Sequence, residues 1–302
     1  MMLSSRISDA VMATASRYRR ARRPLAGRRV LVTGAASGIG EIMAREAARR
    51  GASHVVIWDR DEHGAERVAR TITARGHRAC AWEVDLTDAE AVERAGRAVT
   101  EAIGGIDVLI NCAGVVTGKA VLDVGEDDLE RVYGVNVFAL YRTARAFLPG
   151  MLERDDGLIV TIASAAGLVG VARQTDYSAS KFAAVGFSEA LRAELRHAGS
   201  AVTTLTVMPY YIDTGMFAGV RTRFPRLLPV LEPADVARRV LDQIEAGAAT
   251  VALPRFARAV QLVKVVTPVH DILTDIFGIN ATMDHFTGRV RRADADTTTP
   301  GV

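Results

Sequence analysis

The chain has 302 residues, 49% of them hydrophobic, which is enough to bury one large core, and no break in composition divides residues 28–288 into two domains. The first 29 residues hold eight arginines and one aspartate, a net charge of +7; because the whole chain has +3, the remainder has −4. Arg6 and Asp9 interrupt any apolar core of a secretory signal, and no run of about 18 apolar residues indicates a membrane span.

Residues 1–27 are predicted to form a basic arm outside the folded domain. A solvated tail is one interpretation of the arm, and contact with acidic lipid or nucleic acid is the other. Cys80 and Cys112 fall on separate predicted strands, which is typical of reduced thiols in a cytoplasmic protein. The sequence contains no metal-ligand cluster.

Short apolar strands alternate with helical patterns along the chain. The predicted strands are 30–33, 54–58, a strand ending at Val84, 107–110, 158–163, 202–207 and 250–253. The predicted helices run from the glycine-rich turn to Arg50, then over 62–75, 88–103, 126–148, the segment from Tyr177, and 233–245. This alternation predicts an α/β fold with a parallel sheet covered by helices on both faces.

Residues 34–40 form a glycine-rich turn between the first strand and the first helix. Such a turn brings backbone N–H groups and the positive end of a helix to one point, which suits a pyrophosphate, although a plain strand-to-helix turn is the alternative. The candidate contacts in the turn are Gly34, Ser37, Gly38, Ile39 and Gly40.

Asp59 ends the second strand, nineteen positions after Gly40. A carboxylate at this point accepts hydrogen bonds from an adenosine ribose and repels a phosphate on it, which predicts NAD as the preferred cofactor. Arg60 follows directly and keeps NADP as the alternative. Ligands lie across the carboxyl ends of parallel strands, and further candidate contacts at those ends are Asp85, Leu86, Asn111, Ala113, Gly114 and Ser164.

Tyr177 and Lys181 are four residues apart at the start of a helical pattern, so their side chains project from one face. A neighbouring ammonium stabilises a phenolate by about 4 kcal/mol, on the order of three pK units, at roughly 4 Å and an effective dielectric of about 20. We therefore predict a tyrosine that exchanges protons near neutral pH, with Ser164 holding the same substrate oxygen. Taken singly, these residues are more typical of a surface pair and a turn.

Asn136 lies between Val135 and Val137 in a predicted helix. A buried amide needs hydrogen-bond partners, and from the residues alone a helix–helix hydrogen bond is the favoured interpretation.

Together, Thr33-Gly34-x-x-x-Gly38-Ile39-Gly40, Asn111-x-Ala113-Gly114, Asn136, Ser164 and Tyr177-x-x-x-Lys181 resemble the short-chain dehydrogenase/reductase family over about residues 28–255. The resemblance implies a single Rossmann-type, doubly wound sheet of about seven parallel strands with NAD(P) at the strand ends. It also implies a catalytic tetrad of Asn136, Ser164, Tyr177 and Lys181, in which Lys181 holds the nicotinamide ribose and Asn136 orders a water that relays the proton. Cofactor contacts are implied for Tyr177 and Lys181 and for the loop residues Pro209, Ile212 and Thr214. The sequence departs from the family at Cys112, usually an asparagine, and at Tyr210, commonly a glycine.

Several segments, such as residues 55–59 and 180–187, resemble the branch of retinol and hydroxysteroid dehydrogenases. This resemblance implies oxidation or reduction of a lipophilic alcohol or carbonyl, a homodimer or homotetramer, and peripheral membrane contact, with no nucleic acid as partner. The predicted substrate pocket is Leu168, Val169, Val171, Tyr210, Tyr211, Met216 and Phe217. The alternative is a cofactor-binding sensor, or a protein that docks on membrane or nucleic acid through its basic arm, without catalysis.

Apolar residues recur at helical spacing from Val260 to Phe277 and predict a C-terminal helical extension within residues 256–288. It is interpreted as packing on the domain or on another subunit, or as a surface that enters lipid beside the active site. Residues 289–302 are predicted to be disordered.

Overall fold

A computed structural model describes residues 22–226, 228–254 and 276–288. Within them the chain forms one sheet of seven parallel strands in the order β3-β2-β1-β4-β5-β6-β7. The strands are β1 Arg29–Thr33, β2 His54–Asp59, β3 Ala79–Glu83, β4 Val108–Asn111, β5 Leu158–Ile162, β6 Thr203–Pro209 and β7 Thr250–Leu253. The predicted α/β fold with a doubly wound parallel sheet is confirmed.

Seven α-helices connect these strands within the described residues. They are α1 Gly38–Arg49, α2 Glu62–Thr73, α3 Ala89–Ile103, α4 Glu126–Tyr133, α5 Ala139–Glu153, α6 Thr175–His197 and α7 Pro233–Glu245. Neighbouring strand residues point to opposite faces, so that Val30 and Val32 enter the core beneath α1, α2 and α7, whereas Leu31 enters the core beneath α3, α5 and α6. The sheet is therefore buried on both faces.

The helix predicted over residues 126–148 is interrupted. Gly134–Phe138 forms a π-helix between α4 and α5, and α5 continues to Glu153. Hydrophobic spacing does not distinguish a single wider turn from a continuous α-helix, because the apolar residues keep nearly the same face. The π-turn carries Asn136.

The folded domain begins before residue 28. Leu25 is fully buried in the core, and the Arg23 guanidinium donates to the carbonyl oxygens of Gly157 and Ala201 at 2.9 and 2.6 Å. Residues 23–27 thus belong to the domain rather than to a free arm. Residues 1–21 lie outside the described residues.

The predicted C-terminal extension is described only over residues 276–288. There it forms turns, with an isolated antiparallel bridge between Ala218 and Gly288. Residues 255–275, which carry most of the predicted helix, and the predicted disordered tail lie outside the described residues. No helix among the described residues has the length and apolar character needed to span a bilayer.

Candidate active site

A cavity of about 760 Å³ opens at the carboxyl ends of β1, β2 and β4. It is lined by many of the residues predicted to bind a dinucleotide: Gly34, Ser37, Gly38, Ile39, Gly40, Asp59, Arg60, Asp85, Leu86, Ala113, Gly114 and Thr214. The structure therefore brings the glycine-rich turn, the acid after β2 and the residues after β3 and β4 to one cavity.

The glycine-rich turn requires glycine at two close approaches. Gly34 has φ of +68°, and a Cβ there would lie 2.7 Å from the Cα of Ala113. A Cβ at Gly40 would collide with the carbonyl oxygen of Gly34. The missing side chains let the turn pack tightly against Ala113 and against itself. The turn and the first residues of α1 line the cavity, and this cradle fits a dinucleotide pyrophosphate.

Asp59 is held in place by two backbone groups. Its Oδ2 accepts a hydrogen bond from the Ala36 N–H at 3.0 Å, and its Oδ1 accepts one from the Asp61 N–H at 3.0 Å. Each carboxylate oxygen keeps acceptor capacity toward the cavity, so the residue fits the hydroxyls of a ribose. Arg60 lines the same cavity.

Five predicted cofactor contacts are absent from the lining of this cavity: Asn111, Pro209 and Ile212, and also Tyr177 and Lys181, whose positions are given below. Asn111 is buried and its Oδ1 accepts a hydrogen bond from the Thr143 hydroxyl at 2.9 Å, which ties β4 to α5. Ile212 packs in the main core, and Pro209 ends β6 as a buried residue. For the side chains of Asn111 and Ile212, burial in the protein supports a structural role.

The cavity also contains residues that the sequence analysis missed. Arg142 lines it and donates to the Leu86 carbonyl oxygen at 2.7 Å, while Cys112 and Thr87 lie along the same wall. Met216, predicted for the substrate pocket, also lines this cavity. Arg142 lies six positions after Asn136, within a predicted helix. Because it is far from every predicted strand end, the sequence offered no reason to place it in the cavity.

Ser164 and Tyr177 meet beside the end of β5. The Ser164 hydroxyl oxygen accepts a hydrogen bond from the Ala166 N–H at 3.1 Å, which fixes the side chain at the start of a short 3₁₀ turn. Tyr177, one turn into α6, is 4% exposed. Burial raises the pKa of Tyr177, and a hydrogen bond with the Ser164 side chain opposes that rise. The two residues therefore form a hydroxyl pair that fits a single substrate oxygen.

Lys181 is buried beneath this pair. Its ammonium donates to the Ile162 carbonyl oxygen at 3.0 Å and lies 5.6 Å from the centroid of the Tyr177 ring. Burial lowers the pKa of Lys181 to about 8. The raised pKa of Tyr177 is opposite to the direction predicted from the four-residue spacing, because that spacing gives no measure of burial.

Asn136 connects a loop to α6. Its Oδ1 accepts from the Val115 N–H at 2.9 Å, and its Nδ2 donates to the Val115 carbonyl at 3.0 Å and to the Ser180 hydroxyl at 2.9 Å. Both side-chain donors are therefore used within the protein, and one lone pair of Oδ1 remains. The hydrogen bond to another helix, favoured from the residues alone, is present.

An aromatic and apolar group surrounds Tyr177. Phe217 contacts both Tyr177 and Tyr211 edge to face, with ring centroids 5.7 and 5.0 Å apart, and Tyr210 contacts Tyr211 at 4.7 Å. Val171 belongs to the same cluster. Four of the residues predicted for the substrate pocket thus lie together around the hydroxyl pair.

Two other predicted pocket residues differ from this group. Leu168 packs in a separate core cluster with Leu140 and Met208 rather than with the residues around Tyr177. Its position three residues before Val171 placed it near the site in sequence, but its side chain turns into the protein interior. Val169 is partly buried and is outside the Tyr177 cluster.

Several residues near Tyr177 carried no recognised signal in the sequence. The Thr117 hydroxyl donates to Asp176 Oδ2 at 2.8 Å, and Gln174, fully buried, donates to the Tyr211 hydroxyl at 2.9 Å. Met283 and Phe286 pack in the Tyr177 cluster from the C-terminal segment. Both residues lie more than 100 positions after Tyr177 in the sequence, so no local pattern indicates this contact. Among the residues that the structure describes, no group of side chains is suited to a metal ion.

Comparison with known proteins identifies the family of this chain. A model of the short chain dehydrogenase family matches residues 28–224. Short-chain dehydrogenase/reductase family 16C member 6 from Bos taurus is 37% identical over 93% of this chain and 90% of the relative. Epidermal retinol dehydrogenase 2 from Mus musculus is 36% identical over 90% and 89%. 17-beta-hydroxysteroid dehydrogenase 13 from Rattus norvegicus is 33% identical over 82% and 81%.

Solved structures similar to this chain are also short-chain dehydrogenases or oxidoreductases. A short chain dehydrogenase/reductase from Burkholderia phymatum in complex with NAD has a TM-score of 0.74 and 28% identity, covering 82% of this chain and 96% of that chain. A metagenomic short-chain oxidoreductase in complex with NADP has a TM-score of 0.64 and 30% identity, covering 76% and 97%. This chain therefore belongs to the short-chain dehydrogenase family, the NAD(P)-dependent oxidoreductases that act on CH–OH groups.

Proposed function

We propose that this protein interconverts a lipophilic alcohol and its ketone or aldehyde, with Tyr177 as the general acid and base. The observation that carries the proposal is the Ser164–Tyr177 hydroxyl pair beside the Lys181 ammonium, at the carboxyl end of β5 and next to an apolar cluster. When bound, the nicotinamide cofactor supplies the hydride acceptor or donor and, in its oxidised form, a positive ring charge.

Tyr177 moves the proton of the substrate hydroxyl. In reduction its buried phenol, whose pKa is raised, is a proton donor at neutral pH. In oxidation it must accept that proton as a phenolate, which a nearby positive charge favours. Lys181 supplies such a charge at pH 7, because its pKa of about 8 is still above that pH.

Ser164 orients the substrate oxygen. Its acceptor interaction with the Ala166 N–H leaves its own proton for the oxygen on which negative charge develops. Lys181 keeps two ammonium donors beyond the one on Ile162, and we assign them to the nicotinamide ribose. Asn136 holds the Val115 loop and Ser180, the neighbour of Lys181; a water relay at Asn136 remains a proposal that would use the remaining lone pair of Oδ1.

NAD is proposed as the preferred cofactor. The support is the Asp59 carboxylate at the end of β2, facing the dinucleotide cavity, where it would repel a phosphate on the ribose. Arg60 in the same wall would weaken this preference.

The proposed substrate class is supported by the apolar and aromatic character of the cluster around Tyr177 and by the relatives named as retinol and 17-beta-hydroxysteroid dehydrogenases. The test is turnover by the purified protein with NAD and with NADP, using steroids, retinoids, fatty alcohols and sugars. We expect turnover of lipophilic alcohols and a lower KM for NAD than for NADP. A preference for sugars would contradict the lipophilic class.

A homodimer or homotetramer is also proposed. Large apolar side chains are exposed along the π-helix, α5 and α6: Phe138, Tyr141, Leu152 and Phe182. An interface between copies would bury them. Light scattering after gel filtration should give a mass of two or four chains, and a mass of one chain would contradict the proposal.

Peripheral contact with a membrane, from the cytoplasmic side, is also proposed. Phe224 and Ile276 are 40% and 51% exposed near the C-terminal segment, and Cys80 and Cys112 form no disulfide. The protein should sediment together with anionic vesicles. An equal amount of protein in the supernatant with and without vesicles would contradict membrane contact.

A further inference from the structure

Residues 279–286 pack against the cluster around Tyr177. Met283 is 1% exposed and packs in the same cluster as Tyr177, Val171 and Tyr211. The ring of Phe286 lies so close to Gly118 that a Cβ at this glycine would collide with it. The C-terminal segment is therefore a wall of the space in which a substrate of Tyr177 must bind.

A buried chain of hydrogen bonds holds this wall. Gln174 Nε2 donates to the Tyr211 hydroxyl at 2.9 Å, and the Tyr211 hydroxyl lies 2.9 Å from the Thr282 hydroxyl. The proton of Thr282 goes to the Ile279 carbonyl at 2.7 Å, so Tyr211 must donate to Thr282. The chain joins the residue before α6 to the C-terminal segment through a single phenol.

The wall is also hydrogen-bonded to the loop after β6. The Arg221 N–H donates to the Thr282 carbonyl at 3.3 Å, and the Thr287 N–H donates to the Ala218 carbonyl at 3.1 Å. The absence of a side chain at Gly219 lets the His285 carbonyl approach the loop backbone. Because these contacts are between backbones, they position the segment whichever side chain occupies position 283.

We propose that Met283 limits the bulk of the alcohol that Tyr177 can accept, and that Tyr211 is the positioning residue that holds this wall in place. The proposal rests on the function proposed above, in which Tyr177 exchanges the proton of the alcohol. Met283 belongs to the cluster around Tyr177 and carries a flexible, unbranched side chain, which suits a wall that fits apolar substrates. The Tyr211 hydroxyl bonds to Thr282 of the wall, while the Tyr211 ring contacts Phe217 of the loop after β6.

The first experiment measures selectivity. Met283→Ala should raise kcat/KM for a steroid alcohol relative to a linear fatty alcohol by about tenfold, the range that a few methylene groups of pocket space provide. The dissociation constant for NADH should stay within twofold of the wild type, because Met283 is absent from the lining of the dinucleotide cavity. A change of kcat/KM by the same factor for both alcohols would overturn the role of Met283.

The second experiment separates positioning from stability. Tyr211→Phe and Thr282→Val both break the hydroxyl chain, and we expect each to raise KM about tenfold with kcat changed far less. Thr282→Ser keeps the hydroxyl and should restore the wild-type KM. Tyr133→Phe, at the end of α4, removes a tyrosine hydroxyl outside the cluster and serves as the matched control. An unchanged KM in Tyr211→Phe, or no rescue by Thr282→Ser, would overturn the positioning role.

Hydrogen exchange gives a readout that needs no turnover. Tyr211→Phe should speed amide exchange in residues 279–288 while leaving the glycine-rich turn at residues 34–40 unchanged. If the segment exchanged at the same rate in the variant and the wild type, Tyr211 would not hold the wall in place. This conclusion would stand even if the protein oxidised no alcohol. Failure of the proposed reaction and failure of this inference are thus distinguishable.

Discussion

The ammonium nitrogen of Lys181 lies 5.6 Å from the centroid of the Tyr177 ring, and both side chains are buried. Burial raises the pKa of the tyrosine and lowers that of the lysine, so each group is pushed toward its neutral form. The positive charge beside the phenol is therefore maintained at a cost in folding free energy. This arrangement is typical of a site in which function opposes stability.

That cost predicts a pH dependence of stability. In the folded chain the pKa of Lys181 is lowered from 10.5 to about 8, so between these values the unfolded chain binds more protons and the free energy of unfolding rises with pH. Lys181→Met removes this contribution. Relative to the variant, the wild type should gain up to about 3 kcal/mol from pH 8 to pH 10.5. Urea unfolding of both proteins at pH 7, 8, 9 and 10 measures the difference, and parallel pH profiles would contradict the lowered pKa.

Asp59 is predicted to decide between the two cofactors. Asp59→Ala removes the carboxylate that faces the cavity and should weaken NADH binding about tenfold while strengthening NADPH binding. Arg60→Ala is the matched variant in the adjacent position and should weaken NADPH instead. Fluorescence titration of each variant with NADH and with NADPH measures the four dissociation constants, which are compared with those of the wild type. If Asp59→Ala left the ratio of the two constants unchanged, the cofactor assignment would be wrong.

Asn136 is predicted to be mainly structural. Asn136→Ala removes three hydrogen bonds and leaves the N–H and carbonyl of Val115 and the Ser180 hydroxyl without that partner. The expected loss is about 2–4 kcal/mol of unfolding free energy, measured by thermal or urea unfolding. Ser180→Ala removes one of the three bonds and should cost less. A variant at position 136 that unfolds like the wild type would show that the amide contributes little to the fold.

Most of the architecture could be predicted from the sequence because the strands are short, apolar and separated by clear helical patterns. β7 and α7 have the predicted bounds, and the other strands agree within one or two residues at the ends that were predicted. The cofactor cavity was predictable for a related reason: parallel strands carry their carboxyl ends to one edge, so Gly34, Asp59 and Gly114 had to meet there.

What the sequence could not predict depends on burial and on contacts between distant segments. Spacing placed Lys181 beside Tyr177 but did not reveal that both are desolvated, so the predicted direction of the tyrosine pKa was wrong. Leu168 is apolar and near the site in sequence, but in the folded chain it packs in a different core cluster. Met283 follows no pattern that relates it to Tyr177, since the two lie on segments joined only in the fold.

The central claim is that Tyr177 exchanges the proton of the substrate hydroxyl. Tyr177→Phe keeps the ring packing against Phe217 and removes only the hydroxyl that pairs with Ser164. The most direct measurement is the steady-state turnover of this variant with a lipophilic alcohol and NAD, together with a fluorescence titration with NADH. We predict a fall in kcat of about 10²–10⁴-fold with the NADH dissociation constant nearly unchanged. Turnover equal to that of the wild type would contradict the account.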